Sequence, residues 1–567
     1  MLRARWLGRV PYGEADRLQR ALHARAVDDY LLLLEHPHVY TLGTTADPAH
    51  VLVPPASVGA ELVQVDRGGD VTYHGPGQLV GYPIVTLPEW RDGLRDVVAY
   101  VRRLEDVLVG ALAGFGIEAH REPRYTGVWV GDAKIAAIGV KVARGRTRHG
   151  FALNVDPDLT MFDHIVPCGI RDRGVTSMAA LLGEAPELRA VVDAVVAQFS
   201  ARFGADTVER QDVVWREHPD DLSAFTRAAM EGDDGARHDP ATGDAPVRLL
   251  GRLAEAGVQE SVDGPGTRRP EWMRVKADLG VNFRETKRLV QQLELHTVCE
   301  EAGCPNIYEC WADHTATFMI LGDRCTRACG FCLVDTRKPF PLDPDEPRRV
   351  ADAVATLGLE HAVITSVARD DLPDGGAAGF VATIDAVRAV SPTTRVEVLI
   401  PDCKGSTEAL DKIFAAAPDV LNHNLETVAR LHRAARPSAA YTRSLALLAR
   451  SSDAGLLTKS GIILGMGETA DELRGAIADL RNVGVDVLTL GQYLRPSRQH
   501  LPVARWWTPE EFAELGAYAE GLGFRHVEAG PLVRSSYHAK RATTNPVLAS
   551  NSRAGAREFD ARTVGTG

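Results

Sequence analysis

Long apolar runs are missing from this chain. Across 567 residues nothing approaches the roughly 18 apolar residues that cross a bilayer as a helix. The opening Met1-Leu2-Arg3-Ala4-Arg5-Trp6 has no apolar core of secretory-signal length before Pro11. The expectation is a cytoplasmic protein with no membrane partner. An excess of positive charge is also missing: 64 Lys and Arg face 76 Asp and Glu, a formal net charge of -12, which argues against nucleic acid as the main partner. Cysteine is sparse, with 8 in all, and unevenly spread: Cys168 and Cys403 stand apart, while Cys299, Cys304, Cys310, Cys325, Cys329 and Cys332 crowd together. A disulfide scaffold distributes its cysteines through a short secreted chain, so reduced thiols serving as ligands are expected. No internal repeat relates the two halves.

The length implies about three or four domains, and 45% hydrophobic with 25% charged residues is a globular composition. The most informative stretch is Gly322-Asp323-Arg324-Cys325-Thr326-Arg327-Ala328-Cys329-Gly330-Phe331-Cys332. It follows an apolar run, Thr317 to Leu321, that reads as a strand. Three thiolates on one loop can hold three irons of a four-iron cluster and leave the fourth open. A zinc site would pair cysteines as CxxC and close a set of four; no fourth Cys or His stands at a matching offset. The CxxxCxxC loop resembles that of the radical S-adenosylmethionine (SAM) enzymes. The resemblance implies that the open iron binds SAM and that the cluster reduces it to a 5′-deoxyadenosyl radical.

Residues 1–220 have their own texture. A helical pattern from Tyr12 to about Ala26 precedes a buried strand, Tyr30 to His36. The glycine-rich Asp66-Arg67-Gly68-Gly69-Asp70-Val71-Thr72-Tyr73-His74-Gly75-Pro76-Gly77-Gln78 precedes another strand, Leu79 to Val85, and its glycines let backbone pass close to a ligand. Further on stand Lys134 to Gly139, His149 to Asn154 and Pro167-Cys168-Gly169-Ile170. A lone cysteine is commonly a small buried hydrophobe, but Cys168 lies in a loop between Pro and Gly. A thiol needs a nearby cation or base to be a good nucleophile at neutral pH. Lys134, in a predicted strand among apolar residues, is a candidate; whether the two meet is not legible from sequence.

These four segments, in this order and spacing, resemble the lipoyl(octanoyl) transferases. That resemblance implies the α+β fold of biotin and lipoate protein ligases, a mixed sheet with helices on one face. It implies that Cys168 takes octanoyl from acyl carrier protein as a thioester and passes it to a lysine of a lipoyl-domain protein, with Lys134 activating the thiol. Two transfers then replace one harder one. Acyl-binding positions carried over are Arg67, Gly68, Gly69, Asp70, Val71, Thr72, Tyr73 and His74, then Ala137, Ile138 and Gly139, then Gly150, Phe151 and Ala152.

Residues 221–269 are small, polar and acidic and read as a flexible linker, interrupted by a short helix from Arg248 to Ala256. Beyond it, Cys299, Cys304 and Cys310 form a second triplet. One site built from all six cysteines is the alternative, but a strand separates two complete loops. With the radical SAM loop, this triplet resembles lipoyl synthase. Methylthiotransferases carry two clusters but usually add an RNA-binding module, and biotin synthase has a different second cluster. Gly530-Pro531-Leu532-Val533-Arg534-Ser535-Ser536-Tyr537 matches the family's arginine-serine-serine-tyrosine motif. By that resemblance Ser536, with Ser535 competing, ligates the auxiliary cluster. Strand readings at His361 to Val367, Arg395 to Ile400, Asp419 to His423, Thr458 to Leu464, Asp486 to Leu490 and His526 to Ala529 alternate with helices, as in an α/β partial TIM barrel. Polar residues follow those strands, where such barrels place their sites. Gly461 to Glu468 resembles the family's GxIxGxxE, placing Gly465 and Glu468 near SAM. Cys403 reads as structural.

The expectation is therefore a multidomain fusion: octanoyltransferase 1–220, linker 221–269, radical SAM lipoyl synthase 270–555 and tail 556–567. Resemblance implies two 4Fe-4S clusters and SAM as cofactors. Its implied partners are octanoyl acyl carrier protein, lipoyl domains of 2-oxoacid dehydrogenase complexes, glycine cleavage H protein, and an electron donor such as ferredoxin or flavodoxin. The second half would insert two sulfurs at carbons 6 and 8 of the octanoyl chain. The rival classes are a zinc-stabilised binding module fused to an acyl-carrying scaffold, and a transferase joined to another radical SAM reaction.

Overall fold

Alternation in the first strand shows how the amino-terminal sheet is built. In β1 (Leu2–Arg9), Leu2, Ala4 and Trp6 enter the hydrophobic core, and Arg3 and Arg5 alternate with them toward the opposite face. Both arginines are buried and paired, Arg3 with Asp28 at 2.7 Å and Glu209 at 2.9 Å, Arg5 with Glu209 at 2.6 Å. The structure, a computed structural model, describes residues 1–89, 94–170, 173–215, 247–258, 261–262, 268–274, 280–301, 304–312, 317–537 and 539. It divides into two units, Met1–Glu217 and His218–Gly567.

The first unit continues with β2 (Asp29–Glu35), β3 (Val39–Leu42), β4 (Glu61–Gln64), β5 (Val71–His74), β6 (Gln78–Ile84), β7 (His120–Glu122), β8 (Tyr125–Val130), β9 (Ala133–Ala143), β10 (Arg146–Asn154), β11 (Gly174–Val175) and β12 (Val208–Asp212). Among the described residues, a mixed nine-stranded sheet runs β12-β1-β2-β6-β10-β9-β8-β7, with β11 beside β9, and β4-β3-β5 form a small second sheet. Helices Val97–Ala113 and Leu188–Phe203 cover one face through Leu104, Val107, Leu108, Val191, Val195 and Phe199. Helix Tyr12–Arg25 packs on β6 and β10 outside that core. Its Tyr12 ring lies 5.1 Å from His36, whose Nε2 is 2.7 Å from the Tyr82 hydroxyl, on the side of β6 opposite Leu79. Helices are therefore not confined to one face, as the resemblance had implied.

The second unit contains β13 (His296–Thr297), β14 (Thr317–Ile320), β15 (His361–Ser366), β16 (Arg395–Leu399), β17 (Val420–Asn422), β18 (Thr458–Leu464), β19 (Val487–Gln492) and β20 (His526–Ala529). They form one sheet in chain order. Strands β14 to β20 are parallel, and β13 adds an antiparallel edge that the sequence reading did not anticipate. Phe318, Ile320, Ile364, Val396 and Val398 pack against Val350, Val354, Phe380, Ile384 and Ile413 of the covering helices. These strands, buried on both faces, read as near-continuous apolar runs, the expected appearance of a parallel sheet. Most of the expected linker, 221–246, lies outside the described residues, as does the tail 556–567. Its helix, Val247–Glu255, belongs to the second unit: Leu253 and Ala256 are buried, Arg433 bonds Glu255 at 3.1 Å, and Arg430 donates to the Ala256 carbonyl.

Across four neighbouring strands, β15 to β18, buried polar side chains meet. Lys459 Nζ donates to Glu397 Oε1 at 2.9 Å, Asn422 Nδ2 donates to the same oxygen at 3.3 Å, and His361 Nε2 lies 3.3 Å from Oε2. Burial alone would raise the Glu397 carboxyl; Lys459 and His361 reverse this and bring it from 4.5 to about 2. Lys459→Met leaves a buried carboxylate without its cation and is expected to cost about 3–5 kcal/mol, read as a lower denaturant midpoint. Because the folded carboxyl is depressed, this pairing stabilises above the ordinary carboxylate range and is lost as pH falls toward 2. The variant should therefore also show a shallower loss of stability in acid; an unchanged midpoint and acid limb would show that the layer carries no net stability.

Candidate active sites

In the first unit, four separate stretches meet. Arg67 is buried, and its Nη2 donates to Thr41 O at 2.7 Å and Thr41 Oγ1 at 2.8 Å. Gly68 N donates to Val140 O at 3.0 Å, and a Cβ on Gly139 would stand 3.0 Å from Arg67 Cδ, so this approach favours glycine. The β9–β10 ladder places Gly150 opposite Gly139, Phe151 opposite Ile138 and Ala152 opposite Ala137. Val71, Thr72, Tyr73 and His74 form the buried β5, with Gly69 and Asp70 in the loop before it. His74 Nδ1 lies 2.8 Å from Gln78 Oε1, and Gln78 Nε2 donates to Asn154 Oδ1 at 2.9 Å. Burial, then the neighbouring His36, pushes His74 down to about 3; burial pushes His36 to about 4. Both rings are neutral at physiological pH.

Cys168 is half-buried in the single turn Pro167–Gly169, at φ 55° and ψ 22°. A left-handed backbone is strained for a residue other than glycine, and such strain gathers at functional sites. Cys168 is among the groups whose charge acts on Arg67. Lys134 is buried in β9, with its Nζ 4.9 Å from the centre of the Trp129 ring. Among the described residues, no hydrogen bond or ion pair joins Lys134 to Cys168. The structure thus brings Arg67 into electrostatic reach of the cysteine, a role the sequence reading did not give it.

The second unit carries Cys325, Cys329 and Cys332 beyond the carboxyl end of β14. Cys325 Sγ accepts from Arg327 N at 3.4 Å and Ala368 N at 3.3 Å. The Cys325–Cys332 loop is pinned from several elements: Thr326 Oγ1 donates to Ala368 O at 2.9 Å, Gly330 N to Ala435 O at 2.8 Å, and His500 Nε2 lies 2.9 Å from Cys332 O. Within the loop, Arg327 Nε and Nη2 reach the two Asp370 oxygens at 2.7 and 2.8 Å, and Nη2 also reaches Asp402 at 2.6 Å. A small cleft beside Cys329 is lined by Arg327, Arg436 and Ser438. Burial pushes Cys329 up to about 11; burial, then Cys329, pushes Cys332 up to about 12.

These thiols are unpaired by disulfide, close enough to raise one another, and provided with backbone N–H donors. Among the described residues no three His, Cys, Asp or Glu side chains are grouped to hold one metal ion. A four-iron cluster takes each thiolate on a different iron and needs no such convergence, so the donor set fits it.

Cys299, Cys304 and Cys310 pack with Phe283, Ile307, Tyr308 and Trp311. Burial, then Cys304, pushes Cys299 up to about 11. The carboxyl-terminal motif is brought to this triplet: Asn306 Nδ2 donates to Leu532 O at 2.7 Å, the Tyr537 hydroxyl donates to Glu309 at 3.2 Å, and the Arg534 charge acts on Cys304. Ser535 Oγ accepts from Asn424 Nδ2 at 3.1 Å, whereas the Ser536 side chain makes no hydrogen bond among the described residues. Cys403 is buried, on a strained turn at φ 45°.

Glu468 is also buried, and its carboxylate turns onto its own loop, accepting from Gly465 N, from Met466 N at 3.0 Å and from Trp507 Nε1 at 3.2 Å. Gly465 adopts φ 115°. Glu468 thus shapes the loop from within. The Asn424, Asp402 and Trp507 contacts escaped the sequence reading, because no local pattern marks partners so far apart in the chain.

Residues 12–200 match the lipoyl protein ligase A/B catalytic domain, residues 253–304 the N-terminal domain of lipoyl synthase, and residues 319–480 the radical SAM superfamily. The chain is 56% identical to lipoyl synthase of Mycobacterium bovis over 297 residues, covering 52% of this chain and 94% of the relative. It is 56% identical to lipoyl synthase of Mycobacterium avium over 281 residues, covering 50% and 92%. A crystal structure of lipoate-protein ligase A bound with ATP aligns at 18% identity over 38% of this chain and 90% of that chain, with a TM-score of 0.32, too low to carry an argument. No helix among the described residues is long and apolar enough to cross a membrane. The chain belongs to the lipoyl synthase family and carries, ahead of that half, a lipoyl protein ligase A/B catalytic domain.

Proposed function

We propose that this bifunctional lipoate biosynthesis enzyme takes octanoyl from acyl carrier protein onto Cys168, passes it to a lysine of a lipoyl domain, and then inserts sulfur at carbons 6 and 8 of that chain. The observation that carries the reading is the meeting, in each unit, of segments distant in sequence. Residues 137–139 face residues 150–152 on neighbouring strands, Arg67 lies within electrostatic reach of Cys168, and the Arg534–Tyr537 motif folds onto the Cys299, Cys304 and Cys310 triplet. In this reading the transferase spans 1–220 and the sulfur-inserting enzyme 270–555, with 221–269 between them. The docked helix Val247–Glu255 is an outlying part of the second unit. The setting is cytoplasmic, and a ferredoxin or flavodoxin supplies electrons.

In the first unit, Cys168 is the nucleophile. Arg67 and the buried Lys134 supply positive potential to a developing thiolate and oxyanion. The facing pairs Gly139–Gly150, Ile138–Phe151 and Ala137–Ala152 line the acyl chain, with Gly68 to His74 at its head. In the second, Cys325, Cys329 and Cys332 would hold one 4Fe-4S cluster. Cys299, Cys304, Cys310 and Ser536 would hold the auxiliary one; the Ser536 hydroxyl, with no hydrogen bond among the described residues and beside the engaged Ser535, favours that serine. Held there, the first cluster would supply the electron for reductive cleavage of SAM, and the auxiliary one would be the source of sulfur. The protein's share is placement: the Arg327 fork fixes the cysteine loop, and Glu468 holds Gly465 in the loop that would face SAM.

Cys168→Ser is expected to carry no octanoyl thioester after incubation with octanoyl acyl carrier protein, yet to insert sulfur into a lipoyl domain octanoylated beforehand. Intact mass of each protein reads both outcomes, and loss of both activities would contradict independent sites. Cys299→Ala should still cleave SAM, followed by chromatography of 5′-deoxyadenosine, while forming no lipoyl product. Lipoyl product from that variant would refute the sulfur-source assignment.

A further inference from the structure

We propose that residues 247–258 are a strap, pinned by Arg430, that fixes the cysteine loop 325–332 and the loop 465–468 relative to each other, so that SAM meets a preformed site; the inference rests on the SAM-cleaving reading of the second unit. Part of what reads as linker is then a positioning element of the second enzyme. The helix Val247–Glu255 has only 9 residues, too few to hold its shape alone in water. Docking is what stabilises it. Leu249, Leu253 and Ala256 recur at helical spacing on one face. Leu253 and Ala256 are buried and Leu249 is half-buried, while Leu250 beside them is exposed.

The strap meets both loops at glycines. A Cβ on Gly330, between Cys329 and Cys332, would stand 2.9 Å from Leu249 Cδ1 and 2.9 Å from Leu501 Cγ. Gly330 is not in the left-handed region, so the closeness of the two leucines, rather than backbone conformation, excludes a side chain there. At the other end of the strap, a Cβ on Gly467 would stand 2.8 Å from Val258 Cγ1. Gly467, at φ 118°, also needs glycine for its backbone.

Arg430 joins these parts. Its Nη1 donates to Ala256 O, its Nη2 donates to Gly467 O at 2.8 Å, and its Nε and Nη2 reach the two Glu472 oxygens at 2.6 and 2.8 Å. A planar fork can hold partners spread in this way, and a compact ammonium cannot. Arg433, on the helix His432–Ala435, reaches Glu255 at 3.1 Å, and Ala435 O of the same helix accepts from Gly330 N at 2.8 Å. The chain beyond β19 ties the same loops: Leu501 N donates to Gly330 O at 2.8 Å and Ala504 N to Gly465 O at 2.8 Å, and Val262 N donates to Val503 O at 2.8 Å. The Arg327 fork anchors the first loop to Asp370 and Asp402, and Glu468 shapes the second from within. The strap and residues 501–504 supply the link between the two.

The test uses the full chain. Hydrogen exchange, read by mass spectrometry on the protein without clusters, is compared among wild type, Leu249→Ala and Arg430→Ala. Both variants are expected to speed exchange about 10-fold in residues 326–332 and 465–468, the scale of one lost contact or charged hydrogen bond, while the amides of β15 and β16 keep wild-type protection. With clusters rebuilt, both should raise KM for SAM about 10-fold, as when the binding-competent loop arrangement falls to about a tenth of the population, and change kcat for 5′-deoxyadenosine release less. Arg430→Lys should behave as Arg430→Ala. Faster exchange confined to 247–258, with both loops at wild-type rates, would overturn the proposal. So would exchange raised equally throughout the barrel, which marks general destabilisation, or a wild-type KM in both variants. If the wild-type chain with loaded clusters cleaves no SAM, it is the SAM-cleaving reading that fails. The exchange pattern then still decides whether the strap fixes the two loops: loosening of both supports it, and unchanged loops refute it.

Discussion

Three thiols can present three irons only if the loop that carries them cannot move, and the Arg327 ion pairs impose that constraint. The guanidinium sits between two cysteines of the loop and reaches Asp370 beyond β15 and Asp402 beyond β16. Asp402 is fully buried and caps the turn that follows it. Such a network adds little net stability, because both charges are desolvated to make it. What it provides is position: a planar fork satisfied at several oxygens admits one orientation of the loop. The backbone donors to Cys325 and the bonds from Thr326 and Gly330 act on the loop so oriented.

The auxiliary triplet depends on a different closure. Its residues follow β13 in the chain, while the motif that completes it lies past β20, at the far end of the same sheet in chain order. The strand order of a partial barrel leaves those ends unpaired, and side-chain bonds join them instead: Asn306 to Leu532 and Glu309 to Tyr537. Asn424, just past β17, holds Ser535, so the barrel itself engages that serine. The buried Glu397–Lys459 pair lies within the same sheet, joining β16 to β18. The amino-terminal unit follows the same economy, with a rigid sheet presenting a strained cysteine turn to a wall of glycine, Arg67 and neutral histidines.

Much of this was legible in sequence where chemistry restricts residue type. Cysteine spacing is legible because thiolates are the usual ligands of such clusters, and the glycines at 139 and 150 because backbone passes close there. Strands β14 to β19 were readable because a parallel sheet buried on both faces needs apolar runs. The pairings were not readable. Arg327 and Asp402 are 75 positions apart, Asn424 and Ser535 are 111 apart, and no period links them. The strand β13 is too short to announce itself. The helix Val247–Glu255 was visible as a helix, but its docking was hidden by the acidic, small-residue stretch before it. Glu468 was read as facing a ligand because the family pattern names it; its geometry spends both oxygens on its own loop.

Whether one chain performs both steps in succession is read from the intact mass of an apo lipoyl domain incubated anaerobically with this protein, octanoyl acyl carrier protein, SAM and a strong reductant. The expected adduct is octanoyl carrying two added sulfurs. An adduct that stops at octanoyl, with both clusters shown by iron analysis to be loaded, would contradict it and leave the second unit with another substrate.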